Sequence, residues 1–537
     1  MIMNLQNLQK QRKAEWDAAG VSLPRYDIAA MAAKTRTSPI WVHFGAGNIF
    51  RGFMAALQQR LLNDGHAEKG IIVAETFDFE IIDKIYDPFD NLTMNVTLNP
   101  DSTVSCEIIA SVAEALKTEA HAARLAEIFE TPSLQMISFT ITEKGYSIRS
   151  ADGDISRVAK ADMTDGPARA RHAMGVAAAL LQKRYLAGAY PIAAVSMDNC
   201  SQNGEKLKSG IVEIAKAWHA NGFADSGFIS YLEDEGKVSF PWSMVDKITP
   251  RPAKTVEDVL TGKGIEGMTP IVTGKNTYIA PFVNAERPQY LVIENKFPNG
   301  RPAFETLGKA GVYMADRDTV NKVERMKVTT CLNPLHTAMS MYGCLLGYTL
   351  ICDEMKDADI VALIRRLGYV EGLPVVTDPG ILSPKAFIDE VVRERLPNPF
   401  MPDDPRRIAT DTSQKVGIRF GETIKNYIEE GRSLEELVSI PLAIAGWMRY
   451  LLAVDDNGNA MEVSPDPMKE DLQAKLAGII WNDPSSYRGQ LRRILANPVI
   501  FGSDLTATLL ADKIEKMFIE LLAGAGAVRR ALQKYLA

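Results

Sequence analysis

The stretch Pro39–Phe53, PIWVHFGAGNIFRGF, decides the fold. Its apolar run Ile40–Phe44 has the pattern of a buried strand, and a glycine turn, GAG, follows at once. Apolar residues at helical spacing then predict a helix over Arg51–Leu62. Gly70–Glu75 is a second apolar run, and it ends in an acid. A strand, a glycine turn, a helix and a strand in this order predict a βαβ unit.

Further along the chain, strand and helix patterns alternate until about Ala315. Strands are predicted over Thr93–Leu98, Met136–Thr142 and Ile192–Met197, and helices over Ala113–Phe129 and Gly166–Arg184. Such alternation predicts an α/β fold with a mostly parallel sheet and helices on both faces. Beyond Ala315, helical periods dominate. The sequence therefore predicts a Rossmann-like domain over residues 1–315 and a mainly α-helical domain over residues 316–537.

Composition narrows the classes of partner and compartment. The 537 residues include 60 basic and 67 acidic side chains, and the net charge of −7 disfavours nucleic acid and anionic membranes as partners. Five cysteines without a C-x-x-C motif, and an N-terminus without an apolar run, predict reduced thiols in a cytoplasmic protein. Two apolar stretches, Met341–Cys352 and Ile440–Val454, are too short or too interrupted to span a bilayer, so we expect buried helices.

The glycine turn is a candidate dinucleotide site. Gly45 and Gly47 lie where a strand ends and a helix begins, so the backbone can approach a pyrophosphate there. The third glycine of the usual fingerprint is absent. Arg51 either pairs with phosphate oxygens or is a solvated surface residue. Glu75, with Asp78 as a competitor, is expected to bind the ribose hydroxyls, which favours NAD over NADP.

A second group of polar residues is a candidate catalytic site. The stretch Asn321–Ser340 holds Lys327, Asn333 and His336, and the chain has only six histidines. Oxidation of an alcohol needs a base for the proton and dipoles for the developing alkoxide, which a lysine and carboxamides can supply. Other motifs rich in polar residues are ITEKGY (141–146), SMDNCSQNG (196–204), SMVDKITP (243–250) and RIATDTSQK (407–415).

Together with GAGNIFRG (45–52) and the K…N-x-x-H cluster, these motifs resemble those of the polyol-specific long-chain dehydrogenases, the mannitol dehydrogenase family. They occur in the family's order from residue 45 to residue 415. Within the family, the chain is most similar to the branch that acts on hexuronates. The resemblance implies a zinc-independent, NAD-dependent enzyme acting on a small sugar acid or polyol.

The resemblance also implies residue roles. Lys327 would be the general base, Asn199 and Asn333 would hold the reacting oxygen, and His336 would orient it or a neighbouring hydroxyl. Substrate-pocket positions of the family match Asp246, Arg407 and Lys415, and we expect Glu143 and Lys144 beside the cofactor. Since Arg407 and Lys415 could hold a carboxylate, interconversion of D-mannonate and D-fructuronate is favoured.

One spacing departs from the family pattern K-x-x-x-x-N-x-x-H, because Lys327 lies six residues before Asn333. At about 100° per residue, the nine residues from Lys327 to His336 would put the two side chains on opposite faces of a straight helix. We therefore predict a break or π-bulge between Val328 and Asn333, with Asn333 as the helix cap and Pro334 in the first helical position.

Alternatives remain at this stage. Tagaturonate reduction and mannitol 2-dehydrogenation are the neighbouring activities. An epimerase that retains NAD would use the same base and return the hydride, and a non-catalytic sugar-binding protein would need a purely structural Lys327. Zinc is a weaker alternative: Cys331, His336 and Cys344 lie close in sequence, but no compact ligand set is evident. The sequence leaves the oligomeric state open.

Overall fold

The computed structural model of the chain describes residues 1–8, 13–150 and 152–537. The chain forms two compact units. The N-terminal unit comprises Met1–Asn99 and Thr103–Asn321. The C-terminal unit comprises Pro100–Ser102 and Lys322–Ala537.

Strands of the described residues lie in the N-terminal unit. They are β1 (Val21–Ser22), β2 (Trp41–Phe44), β3 (Ile71–Glu75), β4 (Thr93–Leu98), β5 (Val104–Ile109), β6 (Val112–Lys117), β7 (Met136–Phe139), β8 (Ile192–Ser196), β9 (Val238–Ser239), β10 (Ser243–Asp246), β11 (Ile271–Val272), β12 (Tyr278–Ile279), β13 (Phe282–Glu286), β14 (Tyr290–Glu294) and β15 (Val312–Ala315).

The principal sheet is parallel and has the strand order β6-β3-β2-β7-β8-β9. The chain runs outward from β2 through β3 to β6, then returns to β7 on the other side of β2. The strand order therefore reverses between β2 and β7, which is where a doubly wound sheet binds its ligand. The predicted α/β class and the βαβ unit are confirmed.

Apolar side chains cover both faces of this sheet. Val42 and Phe44 of β2 lie in one buried cluster with residues of α7 (Ala173–Gly188) and α8 (Asn203–Ala220). Trp41 lies in a second cluster with residues of the helix that follows the glycine turn. Burial on both faces explains why the strands read as continuous apolar runs rather than as alternating ones.

One predicted element is wrong. The helix expected over Ala113–Phe129 is instead β6, a short connection and α4 (Ala122–Glu130). Val112–Lys117 has a composition that favours helix, but its pairing with β3 gives it a place at the edge of the principal sheet. A partner strand distant in sequence thus overrides local propensity.

A second, mixed sheet has the order β1-β5-β4-β13, and a third pairs β10 with β14 and β14 with β15. The helices up to the unit boundary are α1 (Lys13–Ala18), α2 (Ile28–Thr37), α3 (Ala55–Asn63), α4, α5 (Thr142–Tyr146), α6 (Arg157–Asp165), α7 (Ala173–Gly188), α8 (Asn203–Ala220), α9 (Ser226–Glu233), α10 (Lys254–Gly262) and α11 (Arg317–Met326).

The C-terminal unit is helical. Its α-helices are α12 (Asn333–Leu346), α13 (Ile351–Glu354), α14 (Ala358–Arg365), α15 (Pro384–Glu390), α16 (Pro405–Ala409), α17 (Glu422–Glu429), α18 (Ser439–Tyr450), α19 (Lys469–Lys475), α20 (Arg492–Leu495), α21 (Pro498–Phe501), α22 (Leu510–Leu521) and α23 (Ala527–Leu536). Wider π-helical segments occur at Lys327–Cys331, Arg366–Gly372, Val391–Arg395 and Gly417–Gly421.

Helix α18 holds most of the apolar stretch Ile440–Val454, as expected. The stretch Met341–Cys352 is not one buried helix: it leaves α12 at Gly347, passes through a partly exposed connection and ends in α13. Helices α12 and α18 pack against each other in the core. Arg449 of α18 is fully buried and donates hydrogen bonds to the carbonyls of Leu521, Val454 and Asp455. Among the residues that the structure describes, no helix combines the length and the apolar character needed to cross a membrane.

Candidate functional site

The glycine turn follows β2 at the point where the strand order reverses. Gly45 has φ +102°, and a Cβ atom there would lie 2.2 Å from the carbonyl oxygen of Thr140. Only glycine fits this position. Around Gly47, by contrast, a Cβ atom would have no protein atom within 4 Å. A helical run then extends from Asn48 to Asn63. The turn thus offers open space at a helix N-terminus, which suits a pyrophosphate.

Glu75 ends β3 and ties the turn to the next loop. Its Oε2 accepts a hydrogen bond from the Ala46 N–H at 2.8 Å, and its Oε1 accepts from the N–H groups of Thr76, Phe77 and Asp78 at 3.0, 2.9 and 3.1 Å. Most of the hydrogen-bond acceptor capacity of this carboxylate is therefore used by backbone N–H groups of the protein itself. The structure assigns Glu75 an organising role that the sequence did not suggest.

Asp78 lies close to the same place in the chain and is buried. Its Oδ2 accepts a hydrogen bond from the Thr273 hydroxyl at 2.6 Å. Its Oδ1 is buried and has no hydrogen-bond partner among the described residues. A buried carboxylate oxygen without a donor is costly, and a ligand hydroxyl would satisfy it.

Arg51 is not the surface residue that one reading expected, because its side chain is 1% exposed. Its Nε donates to the Thr93 hydroxyl at 3.1 Å, and the guanidinium lies over the ring of Tyr86, 5.8 Å from its centroid. Both terminal nitrogens lack a hydrogen-bond partner among the described residues. Burial lowers the pKa of the guanidinium to about 10, so it is still charged at neutral pH. A buried cation with unused donors fits an anionic ligand.

A cavity of about 930 Å³ opens in the N-terminal unit. Thr76 and Thr118, which follow β3 and β6, lie at its wall. Basic side chains also line it, namely Arg157, Arg169, Arg171 and Lys183. Acidic side chains, Glu119, Asp162 and Asp165, line it as well, and its lining includes neither the two glycines of the turn nor Arg51. The glycine turn and the orphaned donors of Arg51 are the features that fit the pyrophosphate of a dinucleotide.

The ITEKGY motif follows β7 and includes α5. Glu143 and Lys144 are exposed, and Glu143 forms an ion pair with Lys206 of α8. Asp198, after β8, fixes this motif by accepting hydrogen bonds from the Ile141 N–H at 2.8 Å and the Tyr146 hydroxyl at 2.6 Å. Burial raises the pKa of Asp198.

Asn203 performs a similar task in the SMDNCSQNG motif. It is buried, and its amide nitrogen donates to the carbonyls of Asp198 and Ser243 at 3.1 and 2.9 Å. Asn199, one of the two residues predicted to hold the reacting oxygen, lies in the N-terminal unit and is exposed. Asp246 is the last residue of β10 and is buried. Several polar residues of these motifs therefore stabilise strand ends.

Sequence reasoning missed a buried polar chain on β2 and β7. The indole of Trp41 donates to the Ser138 hydroxyl at 2.6 Å, and His43 lies 2.6 Å from Ser138 Oγ and 2.8 Å from Thr140 Oγ1. Burial lowers the pKa of His43 to about 3, so the ring stays neutral. The signal in the sequence that could have indicated this chain is His43, the one polar residue in the apolar run of β2.

In the C-terminal unit, Lys327 opens the π-helical segment that ends at Cys331. Its side chain is 3% exposed, and the Leu332 N–H donates to the Lys327 carbonyl across five residues at 3.1 Å. The predicted π-bulge before Pro334 is confirmed, so the extra residue of the spacing is absorbed there. The predicted cap is wrong: Leu332, at φ −131°, precedes the helix, and Asn333 is its first residue.

His336 lies one turn into α12, with 18% of its side chain exposed. Its Nε2 is 3.9 Å from Asp403 Oδ2 and has no hydrogen-bond partner among the described residues. Burial lowers the pKa of His336 to about 4. Asp403 opposes this shift, whereas nearby arginines, Arg419, Arg407 and Arg395, reinforce it. The imidazole is therefore neutral at physiological pH.

The two predicted substrate cations differ in their surroundings. Arg407 has 65% of its side chain exposed and forms an ion pair with Asp403. Lys415 is half-buried and donates a hydrogen bond to the Thr410 carbonyl. Burial and the charge of Arg419 lower the pKa of Lys415. Arg419 itself was not predicted from the sequence.

The zinc alternative finds little support. Cys331 is buried with its Sγ 3.7 Å from the Pro384 carbonyl, and burial raises the pKa of the thiols of Cys331 and Cys344. A protonated thiol is a poor metal ligand. Among the described residues, no group of three or more His, Cys, Asp or Glu side chains is placed to hold a metal ion.

Comparison with known proteins matches both parts of the chain. The model of the mannitol dehydrogenase Rossmann domain matches residues 39–306, and that of the mannitol dehydrogenase C-terminal domain matches residues 319–522. A D-mannonate oxidoreductase of Thermotoga maritima is 50% identical over 526 residues, which cover 97% of each chain.

Two solved structures share the fold. The mannitol 2-dehydrogenase of Pseudomonas fluorescens, solved as a ternary complex with NAD and D-mannitol, has a TM-score of 0.69 and 26% identity, covering 100% of this chain and 99% of that one. A D-sorbitol dehydrogenase in substrate-free form has a TM-score of 0.80 and 24% identity, covering 99% and 100%. The second likeness concerns the fold alone.

Proposed function

The chain belongs to the mannitol dehydrogenase family, and from this premise we propose that it interconverts D-mannonate and D-fructuronate. It is an NAD-dependent dehydrogenase that acts on a CH–OH group. The observation that carries the choice of substrate is the 50% identity to the Thermotoga maritima D-mannonate oxidoreductase along nearly the whole of both chains. Similarity to the mannitol 2-dehydrogenase of Pseudomonas fluorescens is much lower, at 26%.

The electrostatics of the C-terminal unit support an anionic substrate. His336 is surrounded by Arg395, Arg407 and Arg419, with Asp403 as the carboxylate that opposes them. Lys415 has Arg419 and Arg407 as cationic neighbours, which the carboxylates of Asp411 and Asp466 oppose. A sugar acid carries a carboxylate that this positive setting would stabilise, whereas mannitol carries no charge.

In the proposed mechanism, Lys327 takes the hydroxyl proton during oxidation and returns it during reduction. Its side chain is almost fully buried, so no bulk water competes for the proton. Asn333, at the start of α12, offers a carboxamide N–H to the reacting oxygen, and neutral His336 orients that oxygen or a neighbouring hydroxyl. NAD⁺, when bound, would supply the hydride acceptor for the alcohol carbon.

Residues of the N-terminal unit would hold the dinucleotide. Gly45 and Gly47 leave room for the pyrophosphate, the unused donors of Arg51 supply positive charge, and Asp78 has an acceptor for a ribose hydroxyl. Glu75 keeps the turn in shape. Roles for Glu143, Lys144, Asn199 and Asp246 in cofactor or substrate binding stay predictions from the sequence.

The test is a substrate panel on the purified protein. D-mannonate, D-altronate (the alcohol that corresponds to tagaturonate) and D-mannitol are each supplied with NAD⁺ or NADP⁺, and absorbance of the reduced cofactor is followed. We expect D-mannonate with NAD⁺ to give the highest kcat/KM. A preference for D-altronate or D-mannitol would reassign the substrate. Conversion of a sugar acid without net reduction of NAD⁺ would instead identify an epimerase.

A further inference from the structure

Arg419 lies in the π-helical segment Gly417–Gly421 of the C-terminal unit. Its Nη1 donates a hydrogen bond to the hydroxyl of Thr337, the residue that follows His336 on α12. The residue is partly exposed, and the burial of its guanidinium lowers the pKa to about 10, so it is charged at neutral pH. Its positive charge acts on both His336 and Lys415.

The charge of Arg419 is not neutralised within the described residues. No carboxylate there lies within ion-pair distance of its guanidinium, although Asp403 pairs with Arg407 nearby. A partly desolvated cation without a counter-charge is destabilising, and a bound carboxylate would offset that cost through charge-assisted hydrogen bonds. Arg407 is in the opposite situation, since it is solvated and already has a carboxylate partner.

Two glycines fix the segment that carries Arg419. A Cβ atom at Gly417 would lie 2.8 Å from the Ile500 carbonyl oxygen, and one at Gly421 would lie 2.1 Å from that of Phe501. The segment can therefore rest directly on the backbone of residues 500–501. Arg419, midway between the two glycines, is held on a rigid support.

The segment also packs against the π-helical segment Lys327–Cys331, which carries the proposed base. A hydrogen bond from the Thr423 hydroxyl to the Thr329 carbonyl, at 3.3 Å, joins the two chain regions. In D-mannonate, the carboxylate and the carbon that changes oxidation state lie near opposite ends of a six-carbon chain. The carboxylate therefore needs a cation that neighbours the base without contacting it.

We propose that Arg419, rather than Arg407, binds the carboxylate of the sugar-acid substrate and sets the preference for sugar acids over neutral polyols. This inference rests on the proposed function and names the residue that determines its substrate class. Guanidinium geometry matches a carboxylate in a bidentate manner, which an ammonium group cannot reproduce.

The experiment compares D-fructuronate with D-fructose as substrates for reduction by NADH. The two ketones differ by a carboxylate in place of a terminal CH₂OH. Arg419→Gln should lower kcat/KM for D-fructuronate by about 100-fold, mainly through KM, and change that for D-fructose by less than about 3-fold. Arg419→Lys should give an intermediate loss. Arg407→Gln should not discriminate between the two ketones. Arg406→Gln, the matched control at a solvated arginine paired with Asp404, should change both values by less than about 5-fold.

Rescue separates a binding role from a structural one and does not depend on measurable D-fructose turnover. Millimolar guanidinium chloride should restore part of the D-fructuronate activity of Arg419→Ala and should not stimulate Arg406→Gln. Near-ultraviolet circular dichroism would establish that the variants are folded.

Other results overturn the inference. Equal losses of Arg419→Gln on both ketones, an unchanged KM for D-fructuronate, or the absence of guanidinium rescue would show that Arg419 only supports α12. If the wild-type protein did not reduce D-fructuronate, the proposed function would be refuted, and this inference with it. A wild type active on D-fructuronate with a negative result for Arg419 would refute this inference alone.

Discussion

The Nε2 atom of His336 lies 3.9 Å from Oδ2 of Asp403, beyond hydrogen-bond distance. Asp403 instead pairs with Arg407, so its charge is shared with a solvated cation. Its pull on the imidazole is too weak to overcome burial, and the pKa of His336 falls to about 4. His336 thus enters any reaction as a neutral donor or acceptor.

This neutrality predicts the pH behaviour of a His336→Gln variant. Its kcat/KM for D-mannonate should fall by about 10- to 100-fold, because orientation of the substrate is lost. The inflections of the pH–rate profile above pH 5 should be the same as in the wild type, since His336 does not titrate there. Loss of an inflection between pH 5 and 7 in this variant would contradict the prediction.

His43 should make the folded state sensitive to acid. Its pKa is about 3 in the folded protein, below the ordinary value of 6.5, because it is buried. Below pH 6.5, His43 therefore binds a proton in the unfolded chain but stays neutral in the folded one. The free energy of unfolding consequently falls as the pH falls from 6.5 toward 3. Between pH 7 and pH 5, this amounts to about 2 kcal/mol.

The measurement is thermal unfolding of the wild type and of His43→Asn at pH 7 and pH 5. We expect His43→Asn to be less stable at pH 7, because a buried hydrogen-bonded side chain is changed, and to lose less stability on acidification. A decline with pH as steep as that of the wild type would be evidence against a neutral, buried His43.

The two glycines of the turn should respond differently to alanine. Gly45→Ala would combine a positive φ with a contact of 2.2 Å to the Thr140 carbonyl, so we expect a loss of stability of a few kcal/mol. Gly47→Ala meets no protein atom and should leave the melting temperature within about 2 °C. It should nevertheless raise the KM for NAD⁺ by 10-fold or more, since the methyl group occupies the space for the dinucleotide.

Melting temperatures and initial rates at varied NAD⁺ would distinguish the two variants. If Gly47→Ala bound NAD⁺ as the wild type does, the dinucleotide would have to lie elsewhere.

Lys327→Ala should lower kcat for D-mannonate oxidation by about 10²- to 10⁴-fold, the usual range for loss of a general base. Affinity for NADH, measured by its fluorescence, should change little, because the cofactor residues belong to the N-terminal unit. Added methylamine should restore part of the activity by replacing the lost amine. Unaltered kcat in this variant would favour a structural role for Lys327.

Thiol and metal chemistry should be dispensable. Burial raises the pKa of Cys331 and Cys344, so both should resist alkylation by iodoacetamide in the folded protein. Dialysis against a chelator should leave full activity. Activity that is lost on dialysis and regained with Zn²⁺ would require a metal site.

The sequence predicted the strands and helices that depend on interactions between residues close together in the chain. The run before Gly45 and the helix after Gly47 depend on a few adjacent residues, and both form where expected. The π-bulge after Lys327 followed from counting residues around a helix. The strand β6 was missed, because only its pairing with β3, about 40 residues earlier in the chain, makes it a strand.

Predicting the environment of a side chain proved harder than predicting its position. A surface position was one of the two readings of Arg51, yet its side chain is buried and bonded to Thr93, a residue 42 positions along the chain. Arg419, which the sequence did not single out, reaches Thr337 of α12 across 82 residues. Glu75 appeared to be available for a ribose, but backbone N–H groups of the turn and the loop occupy most of it. Such contacts depend on tertiary packing, which a motif does not encode.

The widened turn at Lys327–Cys331 sets the angular relation between two parts of the candidate site. A π segment accommodates an inserted residue without rotating the helix beyond it, so α12 keeps its own angular setting from Asn333 onward. The lysine upstream and the amide–imidazole pair downstream are thus mechanically decoupled. The angle between Lys327 and the pair Asn333 and His336 is therefore set by this widened turn and not by the regular helical repeat.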